Sequence, residues 1–248
     1  MQPGLWSDCQ RRGETMTTLA DSVLPESCFV VVPAFNEAPR IGRTLESLLQ
    51  VARSVVVVDD GSADNTAEVA LNYPVWVLRH PVNLGAGAAT QTGISFALRQ
   101  GAEYVATFDA DGQHRAEDLP KLMQILLNNK ANIVFGSRFL GKAIDMPFHR
   151  KVMLKVASAA VWVLCGIWVT DVTTGLRLMD AKAARMIKIT MNRFEHPIDL
   201  LHQVRVKKLR FAEGPATILY SADSLRKGQR TSDVFRLALQ IIAERVMR

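Results

Sequence analysis

Between Cys28 and Gly136 short β-branched runs alternate with longer amphipathic stretches, and this alternation restricts the chain to an α/β architecture. The apolar runs are FVVV at 29–32, SVVVVDD at 54–60, VWVLRH at 75–80, Tyr104–Phe108 and Ile133–Gly136. Helical periodicity falls between them, at Arg40–Leu49, Asn65–Leu71, Gly85–Gln100 and Ala116–Asn128. Right-handed crossovers then give a mostly parallel, Rossmann-like sheet flanked by helices. The strands are apolar along their whole length, as burial on both faces requires.

The 248 residues suit one large α/β domain, and no Gly/Ser/Pro-rich linker or internal repeat divides them. The expected division is an N-terminal extension of poor order at 1–27, the α/β domain at 28–230 and a terminal amphipathic helix at 231–248. In that helix Val234, Leu237, Ala238, Ile241 and Ile242 share one face. With 48% hydrophobic and 22% charged residues, disordered, collagen-like and low-complexity classes are excluded. The three cysteines, Cys9, Cys28 and Cys165, are odd in number and lack CxxC spacing, which points to a reducing, cytoplasmic setting. The first residues show no signal-peptide pattern. Thirty basic against 24 acidic residues leave a charge of +6, which favours anionic partners. The basic residues are scattered without aromatic interleaving, so a nucleic-acid or purely surface-binding role is the weakest of the readings considered. No pattern specifies an oligomeric state.

Val156–Thr170 carries no charge over 15 residues. A membrane span needs roughly 20. With His149, Arg150, Lys151 and Lys155 ahead of it and Trp162 and Trp168 within it, the segment reads either as a helix lying in a membrane interface, in peripheral contact with anionic lipid, or as a core helix.

Ligands of open parallel sheets bind beyond the carboxyl ends of the strands. Here those ends are acidic: PAFNE at 33–37, DDGS at 59–62 and DADG at 109–112. Asp109 and Asp111, spaced i and i+2, point to one side of an extended segment and suit Mg²⁺ or Mn²⁺, with Ala110 leaving room for a ligand. Two acids in a solvated turn are the plainer account. Asp60 is read as a nucleoside contact, whereas Ser62, Asp64 and Asn65 suit a helix start. NLGAGA at 83–88 is either a phosphate cradle or a site of close helix packing. Arg138 and the loop 224–230 offer cations for a diphosphate. Glu195 and Asp199 are candidate general bases or, equally, acids of a helix first turn; His114 and His196 are weaker candidates.

Taken in order, PAFNE, VDDGSADNT, NLGAG, FDADGQH, GSR and DVTTGLRLMD resemble the family 2 glycosyltransferases of GT-A fold, from about Cys28 to Arg230. DADGQH and the stretch Asp171–Arg177 are similar to the dolichol- or polyprenyl-phosphate mannosyl- and glucosyltransferase branch. The resemblance implies a nucleoside pocket of Pro33, Phe35, Glu37, Val58 and Asp60, with Asp109, Ala110 and Asp111 holding the sugar diphosphate. It implies cation ligands Asp111 and Gln113 beside Asp109, and Arg138, Arg226 and Lys227 facing phosphates. Arg230 and Ala86 depart from the family pattern. The implied reaction moves a hexose, with inversion, from a UDP- or GDP-sugar to polyprenyl phosphate, with Asp109, Asp111 and Arg138 at the reacting diphosphate. The alternative is a hydroxyl acceptor on a lipid-linked or soluble saccharide, with Asp199 as base.

Overall fold

A computed structural model describes residues 23–192 and 196–220. It contains one seven-stranded sheet. The strands are β1 (Cys28–Ala34), β2 (Ser54–Asp59), β3 (Trp76–Arg79), β4 (Tyr104–Thr107), β5 (Ile133–Ile144), β6 (Arg177–Asp180) and β7 (Phe211–Leu219), in the spatial order β3-β2-β1-β4-β6-β5-β7. The helices are α1 (Ala38–Leu49), α2 (Thr66–Ala70), α3 (Ala86–Arg99), α4 (Asp118–Asn128), α5 (Phe148–Cys165), α6 (Ala181–Met186) and α7 (His196–Val206). β6 alone runs antiparallel, between β4 and β5, while β5 and β7 pair in parallel. The expected α/β class and mostly parallel sheet are therefore present.

Period-2 alternation divides the valine strands between two cores. Val30, Val32, Val55 and Val57 face one side, with Ile41, Leu45 and Leu48 of α1 and Leu119, Leu122 and Leu126 of α4. Val31, Val56 and Val58 face the other, with α3, α5, α6 and α7. The i, i+4, i+7 spacing of Ile41, Leu45 and Leu48 buries one stripe of α1, whose first turn carries a proline that needs no amide partner. On the other face Gly93 lets α3 lie directly on β1, since a Cβ there would stand 2.2 Å from Val31 Cγ1.

The packed unit begins before Cys28. Leu24 is buried, and its amide donates to the Val51 carbonyl at 2.7 Å. β5 continues eight residues past the expected end at Gly136. A register shift between Ser137 and Lys142 lets it follow β7, where Gly141 presses on the Ala216 backbone. β6 and β7 had no periodic signal of their own: one is four residues long and the other contains Gly214 and Pro215.

α5 is buried along one side and exposed along the other. Leu154, Ala157, Val161 and Cys165 are in the core, whereas Val152, Val156, Trp162 and Val163 are exposed. Among the described residues no helix is long and apolar enough to cross a membrane. The expected helix at 231–248, the loop 224–230, Glu195 and Cys9 lie outside the described residues.

Candidate active site

Because β4, β2 and β1 are parallel, their carboxyl ends open on one side of the sheet, where the acidic segments meet. Between the ends of β1 and β2 and the start of α3 lies a cavity of about 540 Å³, lined by Pro33, Phe35, Asp60, Asn83 and Gly85 among others. Asp60 is buried in its wall. Its Oδ1 accepts from His80 Nδ1 at 2.7 Å and the Leu84 amide at 3.0 Å, and its Oδ2 accepts from the Gly85 amide at 2.7 Å. His80 Nε2 lies 3.0 Å from Thr92 Oγ1, so the imidazole is held from both ends. The carboxylate is thus held in place by the fold itself.

Those bonds also decide between the two readings of NLGAGA. The Leu84 and Gly85 amides are turned toward Asp60, and the Gly87 amide donates to the Asn192 carbonyl at 2.8 Å. A Cβ on Gly87 would stand 2.2 Å from the Met191 carbonyl oxygen, so this glycine serves close packing. Two other expected pocket residues have buried side chains. Val58 lies on the same face of the sheet as Asp60 but is wholly buried in the core beneath the cavity. Ala110, in the turn that follows β4, is buried in the opposite core. Its carbonyl accepts from Thr44 Oγ1 at 3.1 Å.

The DDGS turn is structural at Asp59 and Ser62. Asp59 Oδ1 accepts from the Ser62 amide at 3.1 Å, and Ser62 Oγ accepts from the Asn36 amide at 2.9 Å. Asp64 and Thr66 accept from the Ala38 and Glu37 amides, so the turn latches the loop after β1. Glu37 is ion-paired with Arg40 at 2.5 Å.

Asp109 and Asp111 form the second half of the crevice. Asp109 is half-buried and lies 3.3 Å from His114 Nε2. Burial alone would raise its pKa, but the bond to His114 and the charges of His114, Arg177 and His196 hold it below the ordinary carboxylate value. Asp111 is displaced the other way, raised first by burial and then by the charge of Asp109. Gln113 lies against it, donating from its backbone amide at 3.0 Å and its side-chain amide at 2.6 Å.

This pair suits a hard cation. A second negative charge is disfavoured beside the first, and a divalent ion removes that conflict. Among the described residues no group of three His, Cys, Asp or Glu is arranged to hold a metal unaided. Asp109, Asp111 and Gln113 could supply part of a shell of the kind that substrate phosphates complete.

Sequence reasoning missed the residues that brace the pair from β6. A Cβ on Gly175 would stand 2.0 Å from Asp109 Oδ2, and the Gly175 carbonyl accepts from Thr107 Oγ1 at 2.6 Å. Arg177 is buried at the start of β6, and burial lowers its pKa to about 10 against the opposing pull of Asp109 and Asp171. The signal was the TTGLR stretch itself. Only the antiparallel placement of β6, which brings its first residue beside Thr107 at the end of β4, gives that stretch a role.

Arg138 is placed differently from the expected phosphate grip. Its Nε and Nη2 donate to Asp171 at 2.5 and 3.1 Å, Nη2 donates to Thr173 Oγ1 at 2.9 Å, and Nη1 donates to the Tyr220 hydroxyl. Both partners of this ion pair are buried. Asp199 is likewise engaged: it accepts from the Thr190 amide at 2.9 Å, Thr190 Oγ1 at 3.1 Å and Gln203 Nε2 at 3.0 Å. The structure gathers Pro33, Phe35 and Asp60 at one end of the crevice and Asp109, Asp111 and Gln113 at the other. Arg226 and Lys227 lie outside the described residues.

A family model described as glycosyl transferase family 2 matches residues 29–187. The chain is 29% identical over 236 residues to a UDP-N-acetylglucosamine–dolichyl-phosphate N-acetylglucosaminyltransferase of Methanococcus voltae, covering 86% of this chain and 94% of that one. It is 32% identical over 193 residues to a polyprenol monophosphomannose synthase of Mycolicibacterium smegmatis, covering 73% and 71%. In fold it is similar to glucosyl-3-phosphoglycerate synthase of Mycobacterium tuberculosis, solved with Mn²⁺, UDP and phosphoglyceric acid. There the TM-score is 0.64 at 19% identity, covering 86% of this chain and 78% of that one.

Proposed function

The chain belongs to glycosyl transferase family 2, and we propose that it moves a hexose from a UDP- or GDP-sugar to a polyprenyl phosphate, with inversion at the anomeric carbon. One observation carries the reading: a carboxylate pair with pKa values driven apart stands in the same crevice as a nucleoside-sized cavity. The relatives named above, acting on dolichyl phosphate and polyprenol phosphate, support the acceptor class. A structural neighbour holding Mn²⁺ and UDP supports the donor class and the metal.

In this reading the nucleoside enters between Pro33 and Phe35 and meets Asp60, whose carboxylate is fixed by His80 and two amides. The diphosphate lies over Asp109 and Asp111. A Mg²⁺ or Mn²⁺ ion held by Asp109, Asp111 and Gln113 would neutralise charge growing on the leaving diphosphate. Gly175 and Arg177 keep Asp109 in place and ionised. Arg226 and Lys227 are proposed to face the phosphates from the last loop.

The acceptor phosphate oxygen attacks the anomeric carbon as the bond to the nucleoside diphosphate breaks. A phosphomonoester has a second pKa of roughly 6, so it is already anionic at neutral pH and requires no base. A hydroxyl acceptor would require one within hydrogen-bond reach. The best candidate, Asp199, is instead taken up by Thr190 and Gln203, which favours the phosphate. With a lipid-borne acceptor and a nucleotide-sugar donor, the proposed place of reaction is the cytoplasmic face of a membrane.

The test is transfer by purified protein with Mn²⁺, polyprenyl phosphate and a panel of UDP- and GDP-sugars, read by mass spectrometry of the lipid. A hexosyl-phosphate-lipid product is expected from at least one donor. Binding or slow hydrolysis of a nucleotide sugar without any lipid product would overturn the acceptor assignment.

A further inference from the structure

The face of α5 turned away from the core has the wrong chemistry for water. On a helix resting on a sheet, the outer stripe is ordinarily polar. Here the exposed positions are Phe148, His149, Lys151, Val152, Lys155, Val156, Ala159, Trp162 and Val163, apolar except for His149 and the two lysines near the start. Phe148 is 80% exposed and Val163 73%. The helix ends at Gly166, in the left-handed conformation. The chain then returns so that Trp168 packs edge-on against Trp162 at 5.6 Å, with both rings half-exposed.

Charge identifies the occupant. Between Asp145 and Asp171 the chain has no acid, while His149, Arg150, Lys151 and Lys155 gather at the start of α5. α7, packed beside α5, adds exposed Arg205 next to Gly166, together with His202, Lys208 and an exposed Val206. An apolar stripe with indoles along it and cations around it matches the boundary of an anionic bilayer, where indole rings sit at headgroup depth. At 18 residues α5 is about 27 Å long, so it can bury this face while lying in the plane of the surface.

We propose that the outer face of α5, anchored by Phe148, Val163, Trp162 and Trp168 and held electrostatically by Lys151 and Lys155, docks the protein on an anionic phospholipid surface. The geometry gives the docking a direction. β5 is parallel to β4, so α5 starts on the crevice side of the sheet. There Arg150 lies over the Tyr220 ring at 5.0 Å, and the Tyr220 hydroxyl accepts from Arg138. A bilayer under α5 therefore borders the side on which Asp109 and Asp111 open. The docking rests on the surface of α5 and stands apart from the choice of acceptor.

Flotation of the full-length protein with vesicles of equimolar phosphatidylcholine and phosphatidylglycerol tests it. The wild type is expected to float at low salt. Replacing Trp162 and Trp168 together by serine should weaken binding about tenfold or more, from the lost apolar burial. Phe148→Ser with Val163→Ser, at positions too exposed to affect folding, should act in the same direction. Lys151→Gln with Lys155→Gln should cost about tenfold on these vesicles and little on pure phosphatidylcholine. All three variants should keep wild-type transfer to a short-chain, water-soluble polyprenyl phosphate, so failure of docking and failure of the proposed reaction are read separately. A wild type that does not float overturns the docking, as do variants that float equally well. A dimer in lipid-free buffer, dissolved by the same substitutions and lacking flotation, would assign the face to a second copy instead.

Discussion

Asp109 and Gly175 approach so closely that no side chain fits between them: a Cβ on Gly175 would stand 2.0 Å from Asp109 Oδ2. The carboxylate is therefore positioned from two elements at once, by the end of its own strand and by the loop entering β6. Gly175→Ala should displace Asp109. Because a misplacement near 1 Å costs about a hundredfold in rate, transfer should fall by about that factor. Kinetics beside a circular dichroism spectrum would check it; unchanged turnover in a folded variant would show that the contact is incidental.

Asp111 carries a pH signature. Its pKa in the fold lies above the ordinary value of 3.8, so its ionised form is disfavoured by folding. The penalty is absent below the unfolded value, grows as pH rises toward the folded value and is full above it. Asp111→Asn should therefore leave the metal-free protein as stable or more stable at neutral pH, while lowering transfer by about a hundredfold or more. In the wild type the rise in Tm produced by Mn²⁺ should shrink as pH falls through the raised value, because the ion must then displace a proton. A Mn²⁺ effect independent of pH in that window, or a markedly less stable variant, contradicts this.

The Arg138–Asp171 pair joins β5 to the loop that carries Gly175. Breaking a buried ion pair by removing one partner costs about 3–5 kcal/mol. Asp171→Ala should lose stability of that order in urea unfolding, and Arg138→Lys should lose much of it as well, because an ammonium cannot reproduce the fork. A loss below about 1 kcal/mol, the range of surface pairs, would contradict the structural role.

Much of the fold was legible because its cause is local. Runs such as Val55–Val58 and the 3.6-residue stripe of α1 announce themselves without knowledge of their neighbours. The site was legible where it follows from strand ends: Asp60, Asp109 and Asp111 were found by asking what stands after each apolar run. What escaped depends on distant segments. The antiparallel β6 is four residues long and is ordered by β4 and β5. For Val58 and Ala110 only the packing shows that both side chains are buried, one in each core. Arg138 has the right chemistry for phosphate, and only the fold shows that Asp171 claims it.

Asp199 separates the two acceptor classes. Its bonds to Thr190 and Gln203 hold the segment whose Asn192 carbonyl meets the Gly87 amide. If the acceptor is a phosphate, Asp199→Asn should change kcat less than about tenfold. A general base contributes about a hundredfold or more, and a loss of that size with nucleotide affinity intact would favour a hydroxyl acceptor.

The most direct measurement compares two acceptors of the same chain length, a polyprenyl phosphate and the corresponding free polyprenol, with the active donor and Mn²⁺. The phosphate anion is the nucleophile in this account and Asp199 is held by Thr190 and Gln203, so kcat/KM for the phosphate should exceed that for the alcohol by about a hundredfold or more. Comparable rates for the two, or turnover of the alcohol alone, would contradict it.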